Sequence, residues 1–215
     1  MRQRSNDKGG GEMKLVLTIF LFFLAFSISH SYAEDEIDKS LRVMMLKDLK
    51  SKGPATLERA MNRDDAQKAC SVPSGKLSPS TAKNIEKAQL ETIKYPQNAK
   101  YFGDWVEGEK IAQNGRGLQS SDKLDAENGG NCYACHQIRK DEIAYGTIGP
   151  SLYQYGKLRG NSEAVIRYTW AKLYNAQAFN ACSNMPRFGH QQILTEEQLR
   201  HVMALLLDSA SPVNK

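Results

Sequence analysis

The residues best suited to chemistry in this sequence lie in one short segment, Cys132-Tyr133-Ala134-Cys135-His136. Two cysteines separated by two residues and followed at once by a histidine form the attachment pattern for c-type haem. Thiols at this spacing can each form a thioether with one vinyl group of the porphyrin, and the histidine then lies under the iron as its proximal ligand. We therefore predict one covalently bound haem c, held by Cys132, Cys135 and His136.

Three other uses of two closely spaced cysteines compete with this interpretation. A thioredoxin-like redox motif expects a strand–helix–strand context, and no run of alternating strands is present. A structural zinc site requires four protein ligands, whereas the sequence has neither a second C-x-x-C nor paired histidines. A structural disulfide between Cys132 and Cys135 is disfavoured because the two residues are only three positions apart.

The iron of such a haem needs a sixth ligand or an open face. The candidates that follow the haem motif are Met185, His190, His201 and Met203. Met185 is favoured because it lies in a loop with proline, just before the predicted terminal helix and 49 residues after His136. Met203 falls on the apolar stripe of that helix, which predicts a core position. Histidine–methionine ligation raises the haem potential and is typical of electron-transfer cytochromes.

Two further features accompany the haem motif. The segment Gly149-Pro150-Ser151-Leu152 is either a simple turn or the source of a backbone acceptor. In the second case the Pro150 carbonyl accepts the ring N–H of His136 and fixes its orientation. Cys70 and Cys182 remain after haem attachment; a disulfide between them is one interpretation, and free thiols with a redox or partner role are the other.

The first thirty-three residues have the pattern of an export signal. Lys14 precedes an apolar run over Leu15–Ile28, and Ser31-Tyr32-Ala33 supplies small residues at a cleavage site. The run is short for a permanent membrane helix, which needs about 20 apolar residues, so a retained anchor is the less favoured alternative. We predict a Sec-type signal peptide over residues 1–33, translated from Met1 or Met13, and a periplasmic mature protein that does not bind membranes.

Composition narrows the function further. The chain has 215 residues, 29 basic and 24 acidic, for a net charge of +5, and 40% of its residues are hydrophobic. A collagen-like or wholly disordered chain is thereby excluded. Residues 34–100 hold 13 basic and 10 acidic residues, and residues 101–215 hold 12 of each. Because the charges interleave and balance, no nucleic-acid partner is expected.

Apolar spacing and capping residues predict an all-α fold. We divide the mature chain into a helical N-terminal extension, residues 34–100, and a haem domain, residues 101–215. Helix starts are predicted at Pro54 (with Leu57 and Met61 inward), Ser78-Pro79, Asp104 with Glu107, Ser162, and Thr195 with Gln198.

Residues 101–210 resemble a class I cytochrome c domain in the order of helix, C-x-x-C-H, G-P-x-L, methionine loop and terminal helix. More narrowly, the chain resembles the SoxX family of monohaem cytochromes. The segments that carry this likeness are Gly103-Asp104-Trp105, Gly108-Glu109-Lys110, Asn114-Gly115-Arg116-Gly117, Gly129-Gly130-Asn131 with the haem motif, Gly149-Pro150-Ser151-Leu152 and Asn184-Met185-Pro186-Arg187-Phe188-Gly189. The likeness covers most of the mature chain and is weakest over residues 34–65.

The resemblance implies that this chain forms a heterodimer with the SoxA cytochrome. The heterodimer would be an L-cysteine S-thiosulfotransferase. That complex joins thiosulfate oxidatively to a cysteine of the carrier SoxYZ, and the bond-forming site belongs to SoxA. This chain would accept the electrons and pass them to a soluble cytochrome, with no catalytic residue of its own. A free-standing electron carrier is the alternative, and a haem enzyme such as a peroxidase would need a vacant sixth position.

Overall fold

The computed structural model describes residues 39–71 and 76–215. The predicted signal peptide, residues 1–33, lies outside the described residues. The described residues fall into two compact units, one that contains residues 39–50 and one that contains residues 51–71 and 76–215. In the first unit, residues 39–48 are helical (α1) and carry exposed apolar side chains, among them Leu41, Val43 and Met44. Within the described ranges, none of the helices is long and apolar enough to cross a bilayer.

The second unit is built from short helices, and the described part of the chain contains no β-strand. Its helices are α2 Leu57–Met61, α3 Asp65–Cys70, α4 Pro79–Glu91, α5 Trp105–Gln113, α6 Tyr155–Arg159, α7 Glu163–Tyr174 and α8 Glu196–Leu207. Within the described residues, 3₁₀ turns lie between helices at Gln97–Ala99, Cys132–Ala134 and Ala176–Ala178, and another follows α8 at Pro212–Asn214. The predicted all-α class is thus confirmed for the described residues.

Three of the predicted helix starts are confirmed by their caps. The hydroxyl of Ser78 accepts the N–H of Thr81, and Pro79 follows it as the first residue of α4. Ser162 caps α7 in the same way. At α8, Thr195 and Gln198 each accept the other's backbone N–H, which is the reciprocal capping box that the sequence predicts.

Two other helix starts differ from the prediction. Pro54 does not open a helix; α2 begins at Leu57, where the Thr56 side chain accepts the N–H of Arg59. Asp104 does cap α5, by accepting the N–H of Val106, but Glu107 does not complete a capping box. Its carboxylate instead lies 2.7 Å from Nζ of Lys110, one turn along the helix, and the Asp104 N–H donates to Nδ1 of His201 at 2.8 Å.

The centre of the unit is the crossing of α5 and α8. Gly108 makes this crossing close, since a Cβ there would lie 2.2 Å from the carbonyl oxygen of His201. Around the crossing lies an apolar core from α7, α8 and the loops, comprising Tyr101, Trp170, Leu173, Phe188, Leu194, Leu199, Val202, Met203, Leu206 and Leu207. This core supports one wall of the cavity described below, through Phe188.

Residues 51–100 belong to the same compact unit as the helices that follow them. The buried indole of Trp170 donates from Nε1 to the carbonyl of Lys94 at 2.8 Å. The fully buried amide of Asn175 donates to Gln89 Oε1 and to Thr92 Oγ1, both at 2.9 Å. The division placed at residue 100 from the sequence is therefore not a boundary between compact units, because polar contacts of α4 reach into the core.

Candidate functional site

The C-x-x-C-H segment forms a tight turn that brings its three functional side chains together. Asn131 adopts a left-handed conformation with φ 47° immediately before the 3₁₀ turn Cys132–Ala134. The backbone N–H of His136 donates to the carbonyl of Cys132 at 2.9 Å. Neither Cys132 nor Cys135 is in a disulfide, and burial raises the pKa of the Cys132 thiol to about 12. Because neither cysteine is in a disulfide, both sulfurs are free to form thioethers, and the raised pKa keeps Cys132 a neutral thiol in the absence of haem.

The ring of His136 is oriented by a backbone acceptor. Its Nδ1 lies 2.7 Å from the carbonyl oxygen of Pro150. A proline carbonyl can only accept, so Nδ1 carries the proton and the lone pair of Nε2 remains available to a metal. This is the contact proposed from the sequence, and it is the usual way in which a protein fixes the tautomer of a ligating histidine.

Gly149 allows the Pro150 carbonyl to approach the ring. A Cβ at position 149 would lie 2.1 Å from Cε1 of His136 and 2.5 Å from Nδ1, far inside van der Waals contact. The N–H of Gly149 also donates to the carbonyl of Cys135 at 2.8 Å. Any larger residue would therefore displace the imidazole, which explains the glycine in this segment.

A cavity of about 500 Å³ lies beside these residues, within the range of about 300–1,000 Å³ found for small-molecule and cofactor sites. Its lining includes both thiols, the His136 ring and, from the loop before α8, Met185 and Phe188. One largely apolar cavity is thus lined by the two cysteines of the motif, by His136 and by Met185. This donor set fits haem c, with the histidine and methionine available as axial ligands.

The other candidate ligands lie elsewhere in the fold. Met203 has 0% exposure within the α8 core, and neither it nor the two histidines lines the cavity. His190 donates its backbone N–H to Tyr174. His201 Nδ1 accepts the backbone N–H of Asp104 at 2.8 Å, so this ring stabilises the approach to α5. Of the four candidates, the structure brings Met185 alone into the cavity with His136.

The haem motif also takes part in a polar cluster that the sequence did not predict. Tyr133, the residue after the first motif cysteine, is buried, and its hydroxyl donates to Glu109 Oε1 of α5 at 2.9 Å. Burial and the neighbouring Glu109 carboxylate raise the pKa of Tyr133 well above its ordinary value. Arg139 lies 3.6 Å from Glu109 and 2.5 Å from Asp141. The cluster fastens the haem motif to α5, and a tyrosine between two cysteines gives no sequence signal for it.

The methionine loop, residues 181–188, is tied to distant parts of the chain by a disulfide and by a buried ion pair, among other contacts. Cys70 at the end of α3 and Cys182 form a disulfide across 112 positions. Arg187, only 5% exposed, pairs with Asp64 at 2.6 Å. Burial raises the pKa of Asp64, but hydrogen bonds from the Gln67 N–H and Arg187 outweigh it and leave the pKa below its ordinary value of 3.8. The ion pair was not predicted, because nothing in the sequence relates positions 64 and 187.

The alternatives weighed for the two motif cysteines gain no support from the structure. The described ranges, 39–71 and 76–215, contain no cluster of three or more His, Cys, Asp or Glu side chains able to hold a metal ion. They also contain no strand that could form the strand–helix–strand context of a thioredoxin-like motif. Cys132 and Cys135 are unpaired thiols.

Comparison with known proteins agrees with this geometry. The cytochrome c family matches residues 106–210, from the start of α5 to beyond the end of α8. A protein of Aquifex aeolicus (strain VF5), described as an uncharacterized lipoprotein, is 32% identical over 209 residues, which cover 92% of this chain and 98% of that protein. The chain therefore belongs to the cytochrome c family, whose members hold haem covalently and transfer electrons.

Proposed function

We propose that this chain is the electron-transfer subunit of a periplasmic SoxAX-type complex, with a single haem c ligated by His136 and Met185. The observation that carries the electron-transfer part is the convergence of these two side chains on one cavity with both attachment cysteines. When bound there, the haem supplies one-electron Fe(III)/Fe(II) chemistry. Two side chains that could fill both axial positions would favour such a role over peroxidase-type catalysis, which needs a vacant or displaceable sixth position.

Each residue of the site has a separate task in this proposal. Cys132 and Cys135 attach the porphyrin, so the cofactor is retained in a dilute external compartment. The Pro150 carbonyl keeps the proton of His136 on Nδ1, which presents Nε2 to the iron. Met185 supplies a neutral thioether, which raises the potential relative to other axial ligands. None of these residues needs to move a proton for an electron to pass.

The mouth of the cavity offers a surface for redox partners. Ile148, which lines the cavity, is 76% exposed, and Ile143 in the same loop is 94% exposed. Exposed apolar side chains at a cofactor edge are suited to the small, transient interfaces of electron-transfer complexes. In our proposal this surface faces SoxA or the soluble acceptor cytochrome.

The thiosulfate assignment rests on the SoxX-like segments that flank the haem motif. Joining the outer sulfur of thiosulfate to a cysteine thiol forms an S–S bond and releases two electrons and the thiol proton. SoxA carries out that step on the SoxYZ cysteine, and this chain takes the electrons one at a time. A free-standing carrier is the second candidate, because the family match over residues 106–210 is equally consistent with it.

An extracytoplasmic location is consistent with several features of the chain. The Cys70–Cys182 disulfide is of the kind that persists in oxidising compartments. The Aquifex relative is described as a lipoprotein, a description that implies export. The hydrophobic segment over Leu15–Ile28 has the pattern of a secretory signal.

The decisive experiment is purification of the native protein from the periplasm, followed by two measurements. The first is whether a second c-type cytochrome co-elutes in fixed ratio. The second is whether thiosulfate reduces the haem of that fraction when the SoxYZ carrier is present, with carrier lacking its acceptor cysteine as the control. Co-elution with carrier-dependent reduction supports the complex. A lone cytochrome that is inert to thiosulfate but reduced by other donors refutes it in favour of the free carrier.

A further inference from the structure

The loop that carries Met185 is fastened on both sides of that residue by the N-terminal part of the unit. The methionine loop, residues 181–188, contains no regular helix. Within it, the Met185 N–H donates to Ser183 Oγ at 3.3 Å, a local contact that does not fix the loop to the rest of the protein. The contacts that do so lie at its two ends.

The first end is joined to α3 and α4. Cys182 forms the disulfide with Cys70, the last residue of α3. The backbone N–H of Ala181 donates to Glu86 Oε1 of α4 at 3.2 Å. The attachment of this end is therefore partly covalent, three residues before the methionine.

The second end is joined to the same two helices through Arg187. Its Nη2 lies 2.6 Å from Oδ2 of Asp64, the residue that caps α3, and its Nη1 donates to Gln89 Oε1 of α4 at 3.2 Å. The guanidinium is almost fully buried. Removing the partner of a buried charge is strongly destabilising, so Arg187 has a strong preference for this one position.

Between these two ends, Met185 packs against the hydrophobic core but is only partly buried, and it also borders open space. A second cavity of about 770 Å³ is lined by Asn62 and Gln67 of the α2–α3 region on one side and by Met185 on the other. Met185 lines both this cavity and the one beside the haem motif. Because Met185 borders both of these cavities, its packing is incomplete and the contacts at the two ends of the loop add to it.

From this arrangement we propose that Asp64, Cys70, Glu86 and Gln89 form an outer brace whose role is to position Met185 for axial ligation. The inference rests on the proposed function, since it takes Met185 as the sixth ligand. A neutral thioether stays on the iron only while its loop stays closed, so each contact that favours the closed loop raises the ligated fraction. These four residues would thus influence the ligation and potential of a cofactor whose cavity they do not line.

The ion pair is tested with Asp64→Asn in the full-length holoprotein. Asparagine is as good an N-cap as aspartate, so α3 keeps its start while Arg187 loses its charged partner. Asp65→Asn is the matched control: it removes the same charge from the next residue, whose side chain is fully exposed and lies 3.5 Å from Nζ of Lys68. Three readouts are compared: the methionine–iron charge-transfer band of the ferric haem, the midpoint potential and the apparent affinity for imidazole.

Imidazole binds only when the methionine has left the iron, so its apparent affinity measures the open fraction of the loop. We expect Asp64→Asn to raise that affinity by about tenfold or more, since a binding-competent state that becomes more populated tightens apparent binding in proportion. The charge-transfer band and the potential should both fall, because loss of methionine ligation lowers the potential. Asp65→Asn should match the wild type in all three.

The disulfide is tested independently with Cys70→Ser/Cys182→Ser. This double variant should shift the same three readouts in the same direction while its far-ultraviolet circular dichroism at 25 °C remains that of a folded helical protein. If both variants are folded and keep wild-type imidazole affinity, band and potential, the brace is refuted while Met185 ligation stands. If the wild type lacks the methionine band and Met185→Ala leaves its spectrum unchanged, the ligand assignment itself fails, and the brace fails with it.

Discussion

Removal of the Cys70–Cys182 disulfide should cost this protein much of its stability. The bond closes a loop of 112 positions. In the chain-entropy treatment a closed loop of about this length restricts the unfolded chain by about 5 kcal/mol at 25 °C, and losses of about 2–5 kcal/mol are typical for native disulfides. We therefore expect Cys70→Ser/Cys182→Ser to lower the free energy of unfolding by about 4 kcal/mol.

The loss can be measured by guanidinium chloride unfolding of the oxidised holoprotein, followed by circular dichroism and haem absorbance. With a slope of about 4 kcal/mol/M, the midpoint should fall by about 1 M. The slope itself should increase, because an unfolded chain without the cross-link exposes more surface. Each single cysteine variant should cost about as much as the double variant, since all three lack the same bond.

Equal midpoints and slopes for the wild type and the double variant would refute this reasoning. A double variant that loses roughly the sum of the two single losses would also refute it. That result would mean that each cysteine contributes through its own packing rather than through a shared covalent bond.

Three further predictions concern single positions. Gly149→Ala places a methyl 2.1 Å from Cε1 of His136, so we expect less holoprotein and a perturbed ferric haem spectrum, measured as haem absorbance per protein. Met203→Ala should lose about 2–5 kcal/mol in denaturant unfolding, as buried methionines do, yet keep the ferric methionine band, whereas Met185→Ala should abolish that band. Because the pKa of Asp64 is lowered in the folded state, its contribution to stability is present above its ordinary value of 3.8 and is lost as the pH falls through the lowered value. The denaturant midpoint should therefore fall less between pH 6 and pH 3 for Asp64→Asn than for the wild type. An equal fall in the two proteins would contradict this.

Much of the site could be predicted because its chemistry is local in sequence. Cys132, Cys135 and His136 are adjacent along the chain, so a short pattern suffices to indicate thioether attachment and a proximal ligand. Pro150 follows within a short loop, and its contact with His136 at 2.7 Å needs only a turn. The caps at Ser78, Ser162 and Thr195 are likewise contacts between residues three positions apart.

The sixth-ligand candidates were harder to separate, because ligation depends on where distant segments meet. Spacing and loop position favoured Met185, but only the tertiary structure excluded His201 from the cavity, by using its ring to accept the Asp104 N–H. Similarly, the periodicity of α8 indicated a buried Met203, and packing against α5 and α7 gave it 0% exposure.

The sequence by itself determined the class of this protein, since attachment chemistry, helix caps and apolar periodicity are all set by residues within a few positions of each other. The contacts of the methionine loop became evident only from the tertiary structure. The partners of Arg187 lie 98 and 123 positions away, and aspartate and glutamine are residue types usually found at the surface. A polar side chain that is half-buried in the fold looks in sequence like any surface residue, because burial is a property of the packed chain.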